Sequence, residues 1–108
     1  MKHGLTETCY GFFSTLANPI RLAILENLIK NPMNVSNLAA AIGQEQSLIS
    51  HNLKTLEFCN LVRSERRGKE RFYHANTETV DGIFRVVENH AEKHCPFQGA
   101  CSNSKKKG

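Results

Sequence analysis

The sequence contains no tryptophan, two tyrosines and three prolines in 108 residues. It has no apolar run near the ~20 residues that a membrane helix needs, which excludes a transmembrane span of that kind. Its first residues, Met1-Lys2-His3-Gly4-Leu5-Thr6-Glu7, lack the long apolar core of a secretory signal. A soluble, cytoplasmic protein without membrane partners is therefore expected. No internal repeat, glycine-rich phosphate loop or paired-carboxylate motif is present. Ser50 and His51 are neighbours on a helical stretch and point in different directions, so they make no nucleophile–base pair. The length leaves no room for a catalytic domain with a separate substrate domain. The expectation is a protein that is not an enzyme.

What is present fits one small globular domain. The hydrophobic fraction of 40% argues against disorder. The formal net charge is +4, from 14 Lys and Arg against 10 Asp and Glu. Part of that surplus is Lys105-Lys106-Lys107. Between Gln46 and Asn76 stand six cations (Lys54, Arg63, Arg66, Arg67, Lys69, Arg71) against three anions (Glu57, Glu65, Glu70). Such a local surplus points to a polyanionic partner, with an ordinary solvated surface as the alternative. The four cysteines are Cys9, Cys59, Cys95 and Cys101. In a reducing compartment they are thiols, metal ligands or redox switches rather than structural disulfides.

Periodicity divides the chain into five helices and a hairpin. Leu5, Cys9, Phe12, Phe13 and Leu16 recur at helical spacing, weakened by Gly11. Asn18-Pro19 reads as an N-cap followed by proline at the first helical position. The helix that follows buries Ile20, Leu22, Ala23, Ile24, Leu25, Leu28 and Ile29, and Asn31-Pro32 stops it. Ser36 is expected to cap a short third helix through Leu38 to Ile42, with Gly43 as a left-handed terminator. After a break at Gln44-Glu45-Gln46, a fourth helix runs from about Ser47 to Phe58. Its apolar stripe is Leu48, Ile49, Leu53 and Leu56, ending in Phe58. The period then changes to that of two short strands, 61–65 and 71–74, around a basic turn at 66–70. A last helix spans about Glu78 to His94.

A short brace helix, a glycine turn and a second helix with a polar outer face make a helix-turn-helix. Ser47, Ser50, His51 and Lys54 lie on that polar face, where small and hydrogen-bonding side chains can reach base edges in a major groove. Arg66, Arg67, Lys69 and Arg71 on the protruding hairpin would sit beside phosphates or in a minor groove. The alternatives are plain core packing for the helix pair and a solvated hairpin.

These residues resemble the ArsR/SmtB-type winged helix-turn-helix repressors. Leu16-Ala17-Asn18-Pro19-Ile20-Arg21-Leu22-Ala23-Ile24-Leu25 is similar to the entry of their second helix. Ser47-Leu48-Ile49-Ser50-His51-Asn52-Leu53-Lys54-Thr55-Leu56 resembles their recognition helix. Leu61-Val62, Arg66-Arg67-Gly68-Lys69 and Arg71-Phe72-Tyr73 resemble their wing. The likeness covers roughly residues 5 to 94. It implies a mainly α, homodimeric winged-helix repressor that leaves operator DNA when a ligand, often a metal ion, binds. The expected organisation is a DNA-binding and dimerisation domain over 1–94 and a flexible, basic, cysteine-containing tail over 95–108. A two-fold interface built from the first and last helices would set two recognition helices about 34 Å apart, one turn of DNA. The alternative is a monomer in which both helices complete one core.

Thiolates suit soft ions such as arsenite, cadmium, lead, copper(I) or zinc. Some soft-metal relatives in this family use a cysteine just after the recognition helix with cysteines from the C-terminal region. Cys59 matches the first, and Cys95 and Cys101 the others. Cys9, His90 and His94 are lesser candidates. The sequence departs from the family's patterns at Thr55, where a second recognition-helix cysteine is absent. It departs again at Val35-Ser36-Asn37-Leu38, which holds no thiol, and at Ile83, two after Asp81. The chemical alternatives are a redox role, including a Cys95–Cys101 disulfide, and simple packing of Cys9 or Cys59. Beyond those stand a metal or thiol protein that binds no DNA, and an architectural DNA binder without an effector.

Overall fold

The computed structural model describes residues 5–95 and falls into two units, divided between Asn76 and Thr77. The first unit begins with α1 (Leu5–Leu16), α2 (Pro19–Leu28), α3 (Val35–Ile42) and α4 (Gln46–Phe58). It ends in an antiparallel pair, β1 (Val62–Arg67) and β2 (Glu70–Ala75). The second unit carries α5 (Thr77–Lys93). Lys105-Lys106-Lys107, Cys101 and the rest of the expected tail after Cys95 lie outside the described residues.

Local chemistry sets the helix ends. Asn18 caps α2 in extended backbone, its Oδ1 accepting from the N–H of Ile20 at 2.9 Å and of Arg21 at 3.1 Å. Pro19 supplies the first helical φ and has no N–H to leave unpaired. Gly43 ends α3 at φ 77, a left-handed conformation that side chains disfavour, and its N–H reaches the Ala39 carbonyl at 2.8 Å. The expected cap at Ser36 is not the one used. Asn34 caps α3, its Oδ1 accepting from the Asn37 N–H at 2.8 Å, so the helix begins two residues earlier, at Val35. Asn34→Ala should lower stability by about 1 kcal/mol, whereas Ser36→Ala should change it by less than about 0.5 kcal/mol. Urea unfolding midpoints of the two variants check the assignment.

The core of the first unit is aliphatic. Leu16, Ile24, Leu25, Leu28, Leu38, Ile49, Leu53, Leu56, Leu61 and Val62 are buried. The helices α2, α3 and α4 pack on one another, and β1 packs on α4. Leu22 and Leu48, each 38% exposed, and Phe58, 89% exposed, are expected in that core but lie outside it.

The hairpin is longer than its sequence pattern. Pairing runs from Val62↔Ala75 to Arg67↔Glu70, leaving Gly68 and Lys69 as the connection. Gly68 takes φ 64, the left-handed value that a tight hairpin turn demands. The charged residues at 66, 67 and 70, read as turn, are ladder residues. A third segment joins at the root: Met33 and Tyr73 exchange both backbone hydrogen bonds, at 3.3 and 2.9 Å.

Candidate nucleic-acid interface

The two faces of α4 are chemically distinct. Ile49, Asn52, Leu53 and Leu56 are buried, at the i, i+3, i+4, i+7 spacing of one helical stripe. Ser47, His51 and Lys54 are exposed on the other side, and Ser50 is half-buried beside them. Those four side chains are brought to one surface, as the sequence anticipates. Thr55 is half-buried, its hydroxyl 3.5 Å from the His51 carbonyl one turn back.

The inner face holds a polar residue that sequence reasoning missed. Asn52 is 3% exposed. Its Oδ1 accepts from Arg21 Nε at 2.9 Å, and its Nδ2 donates to the Leu48 carbonyl at 2.9 Å. Arg21 Nη1 donates in turn to the Thr15 carbonyl at 3.0 Å. The available signal was positional: Asn52 occupies a slot that the apolar stripe requires.

Alternation sorts the wing cations into two sets. Ser64, Arg66, Arg71 and Tyr73 share the face that carries buried Val62; Glu65, Arg67, Phe72 and His74 share the other. On the first face, Arg71 Nη1 donates to Ser64 Oγ at 3.0 Å, and Ser64 Oγ donates to Glu57 Oε2 at 3.0 Å, tying the hairpin to the end of α4. Arg66 and Arg71 stand directly opposite each other across the strands. On the second face, Arg67 Nη2 lies 3.4 Å from Glu65 Oε1, and its guanidinium carbon sits 4.8 Å from the centre of the Phe72 ring. His74 Nε2 lies 2.9 Å from the same carboxylate oxygen. Among the described residues, the side chains of Arg66 and Lys69 make no hydrogen bond or ion pair, and both are exposed.

The His74 hydrogen bond, followed by the charge of Arg67, holds the Glu65 carboxyl below its ordinary range. A carboxylate lowered on folding adds stability above its unfolded pKa, and the contribution is lost as pH falls through the folded value. The Glu65 links to His74 and Arg67 therefore hold at neutral pH and loosen in acid. The Glu65 side chain is 48% exposed, so solvent screening keeps the effect small.

Three of the four thiols lie among the described residues. Cys59 closes α4 and is exposed, its Sγ 3.5 Å from Thr15 Oγ1 on α1. Cys9 on α1 and Cys95 after α5 are half-buried. His90 and His94 lie one turn apart on α5, their ring centres 5.6 Å from each other. Among the described residues, no three His, Cys, Asp or Glu side chains gather closely enough to hold a metal ion. Cys101 is outside those residues. The described donors therefore do not complete an ion site.

A polar-faced helix braced by two others, flanked by a cationic hairpin, defines a winged helix-turn-helix regulator of transcription. A sequence model of the bacterial regulatory protein arsR family matches residues 18–64. The nodulation protein NolR of Rhizobium meliloti is 39% identical over 88 residues, spanning 82% of this chain and 72% of NolR. The transcriptional repressor SmtB homolog of Synechocystis is 34% identical over 82 residues, 76% of this chain and 62% of that protein. The homodimeric winged helix-turn-helix DNA-binding domain of Mb0332 from Mycobacterium bovis superposes with a TM-score of 0.74 at 31% identity, covering 83% of each chain. The chain belongs to the arsR family. Its relatives are regulators rather than enzymes. Among the described residues, no helix is long and apolar enough to cross a membrane.

Proposed function

We propose that this chain is a homodimeric repressor that binds operator DNA through α4 and the wing and releases it when its thiols react. The observation that carries the reading is the outward set Ser47, Ser50, His51 and Lys54, mounted on a helix whose other face is anchored in the core. The wing supports it. Like charges placed directly opposite on a hairpin repel, and an anion set between Arg66 and Arg71 would relieve that repulsion. In this reading Arg66 and Lys69 meet phosphates directly, and Arg67 and Arg71 do so from anchored positions.

The dimer rests on apolar side chains left uncovered in each unit. Tyr10 is 74% and Phe13 59% exposed on α1, and Val86 and Val87 are exposed on α5. Val80 on α5 is buried and is not part of an open face. The homodimeric Mb0332 domain supports the same assembly by similarity. Such a regulator would act in the cytoplasm, where operator DNA is.

For the effector, Cys59 stands at the end of the reading helix itself. An event there can lower DNA affinity only by as much as it favours the DNA-free form over the bound one. A thiophilic ion such as arsenite, cadmium, lead, zinc or copper(I) is the first reading, with Cys59, Cys95 and Cys101 as ligands and Cys9, His90 and His94 in reserve. The exposure of Cys59 supports a second, in which an oxidant converts the thiol directly.

The reduced full-length chain should bind a duplex selected from a randomised pool. Titration with each ion and with peroxide then separates the readings. Release by an ion, with thiolate–metal absorption in the near ultraviolet and loss of the response in Cys59→Ser, supports ion sensing. Release by peroxide alone, reversed by a dithiol, supports redox control. DNA binding insensitive to all of them would leave a constitutive binder, and failure to bind any duplex would remove the proposal.

A further inference from the structure

We propose that Arg21 and Asn52 are positioning residues for DNA reading, a latch that sets how α4 is turned about its own axis. The inference rests on the DNA-reading role of α4 proposed above. Ile49, Leu53 and Leu56 hold that helix by apolar contact, which is not directional. A small rotation or slide of α4 leaves such contacts nearly satisfied while carrying Ser47, Ser50, His51 and Lys54 away from the bases they address. The Arg21–Asn52 hydrogen bond is directional, at 2.9 Å, and lies inside that apolar stripe at the middle of the reading stretch.

Both partners are themselves held. Asn52 is fixed by its bond to the Leu48 carbonyl one turn back. Arg21 is fixed at its backbone by the Asn18 cap and at its guanidinium by the Thr15 carbonyl. The latch thus joins the end of α1, the first turn of α2 and the centre of α4. Buried polar pairs of this kind add little net stability over apolar residues of similar volume, yet they select one arrangement among several that packing alone would allow.

The test compares the duplex that the wild-type full chain selects from a randomised pool with a scrambled duplex of equal length. Arg21→Met with Asn52→Leu replaces the polar pair by apolar volume, so the double variant should melt close to the wild type. Its preference for the selected duplex should fall at least about tenfold, the worth of about one base contact. The salt dependence should stay unchanged, because no cation of the reading face or wing is removed. Asn52→Asp still accepts from Arg21 but no longer donates to the Leu48 carbonyl, so it should keep more of the preference than the double variant and less than the wild type. Should the double variant unfold, Arg21→Lys carries the test. It keeps the charge but lacks the fork that reaches both acceptors, and it should also lose preference. Wild-type preference in the double variant or in Arg21→Lys would overturn the latch while leaving DNA binding intact. A wild-type chain with no preference among duplexes would instead overturn the reading role of α4.

Discussion

Replacing Arg66, Lys69 and Arg71 together by glutamine should weaken DNA binding by roughly two to three orders of magnitude at 0.1 M salt. Each phosphate neutralised by a protein cation releases condensed counterions, which contributes about 0.9 to the slope of log affinity against log salt. The triple variant should therefore bind with a slope smaller by about 2.7, equally on selected and scrambled duplexes. Arg67→Gln alone should shift the slope by less than about 0.9, because Glu65 already sits beside that guanidinium and Phe72 stacks under it. His51→Ala should behave in the opposite sense. It should leave the slope unchanged and cost about 1–3 kcal/mol of discrimination at the base it meets. Fluorescence anisotropy across a salt series measures both quantities. Equal effects of the two kinds of variant on both duplexes would refute this division of roles.

Leu53→Ala should destabilise the protein by about 2–5 kcal/mol. Leu53 is completely buried on the inner face of α4, and truncation leaves a cavity that the neighbouring aliphatic side chains close only in part. Folded domains hold only about 5–15 kcal/mol in all, so this loss is a large share. Leu48 on the same helix is 38% exposed, and Leu48→Ala should cost about 1 kcal/mol or less. Urea unfolding at fixed protein concentration separates the two. Similar costs for both would mean that α4 presents a different face to the core.

The features most legible in the sequence were those written in periodicity and backbone chemistry. Asn18-Pro19 and Gly43 marked helix ends because each meets a need of the terminal backbone that few residues meet. The reading face of α4 was legible because its polar residues fall one turn apart. The cap of α3 was misplaced because Asn34 and Ser36 both offer a capping oxygen, and pattern alone does not choose between them. The wing was drawn too short because arginine and glutamate look like turn residues, although solvent-exposed ladder positions accept them. The pairing of Met33 with Tyr73 left no trace, since a single rung has no period. Phe58 and Asn52 inverted the polarity rule, one apolar and exposed, the other polar and buried. Nothing in side-chain character announces such an exchange. It becomes visible only when the angular position on the helix outranks polarity. A site shared by Cys59 and the C-terminal thiols, as proposed, would join distant stretches of chain, which local pattern does not report.

The single rung between Met33 and Tyr73 gives the hairpin a fulcrum. From Tyr73 back to Gly68, the ribbon projects about 17 Å past that pivot at the usual rise of a strand. A lever of that length exceeds the ~12 Å breadth of a major groove. Its root is clamped to the loop ahead of α3, so in the proposed complex the tip would reach a sugar-phosphate rail one groove away from the reading helix.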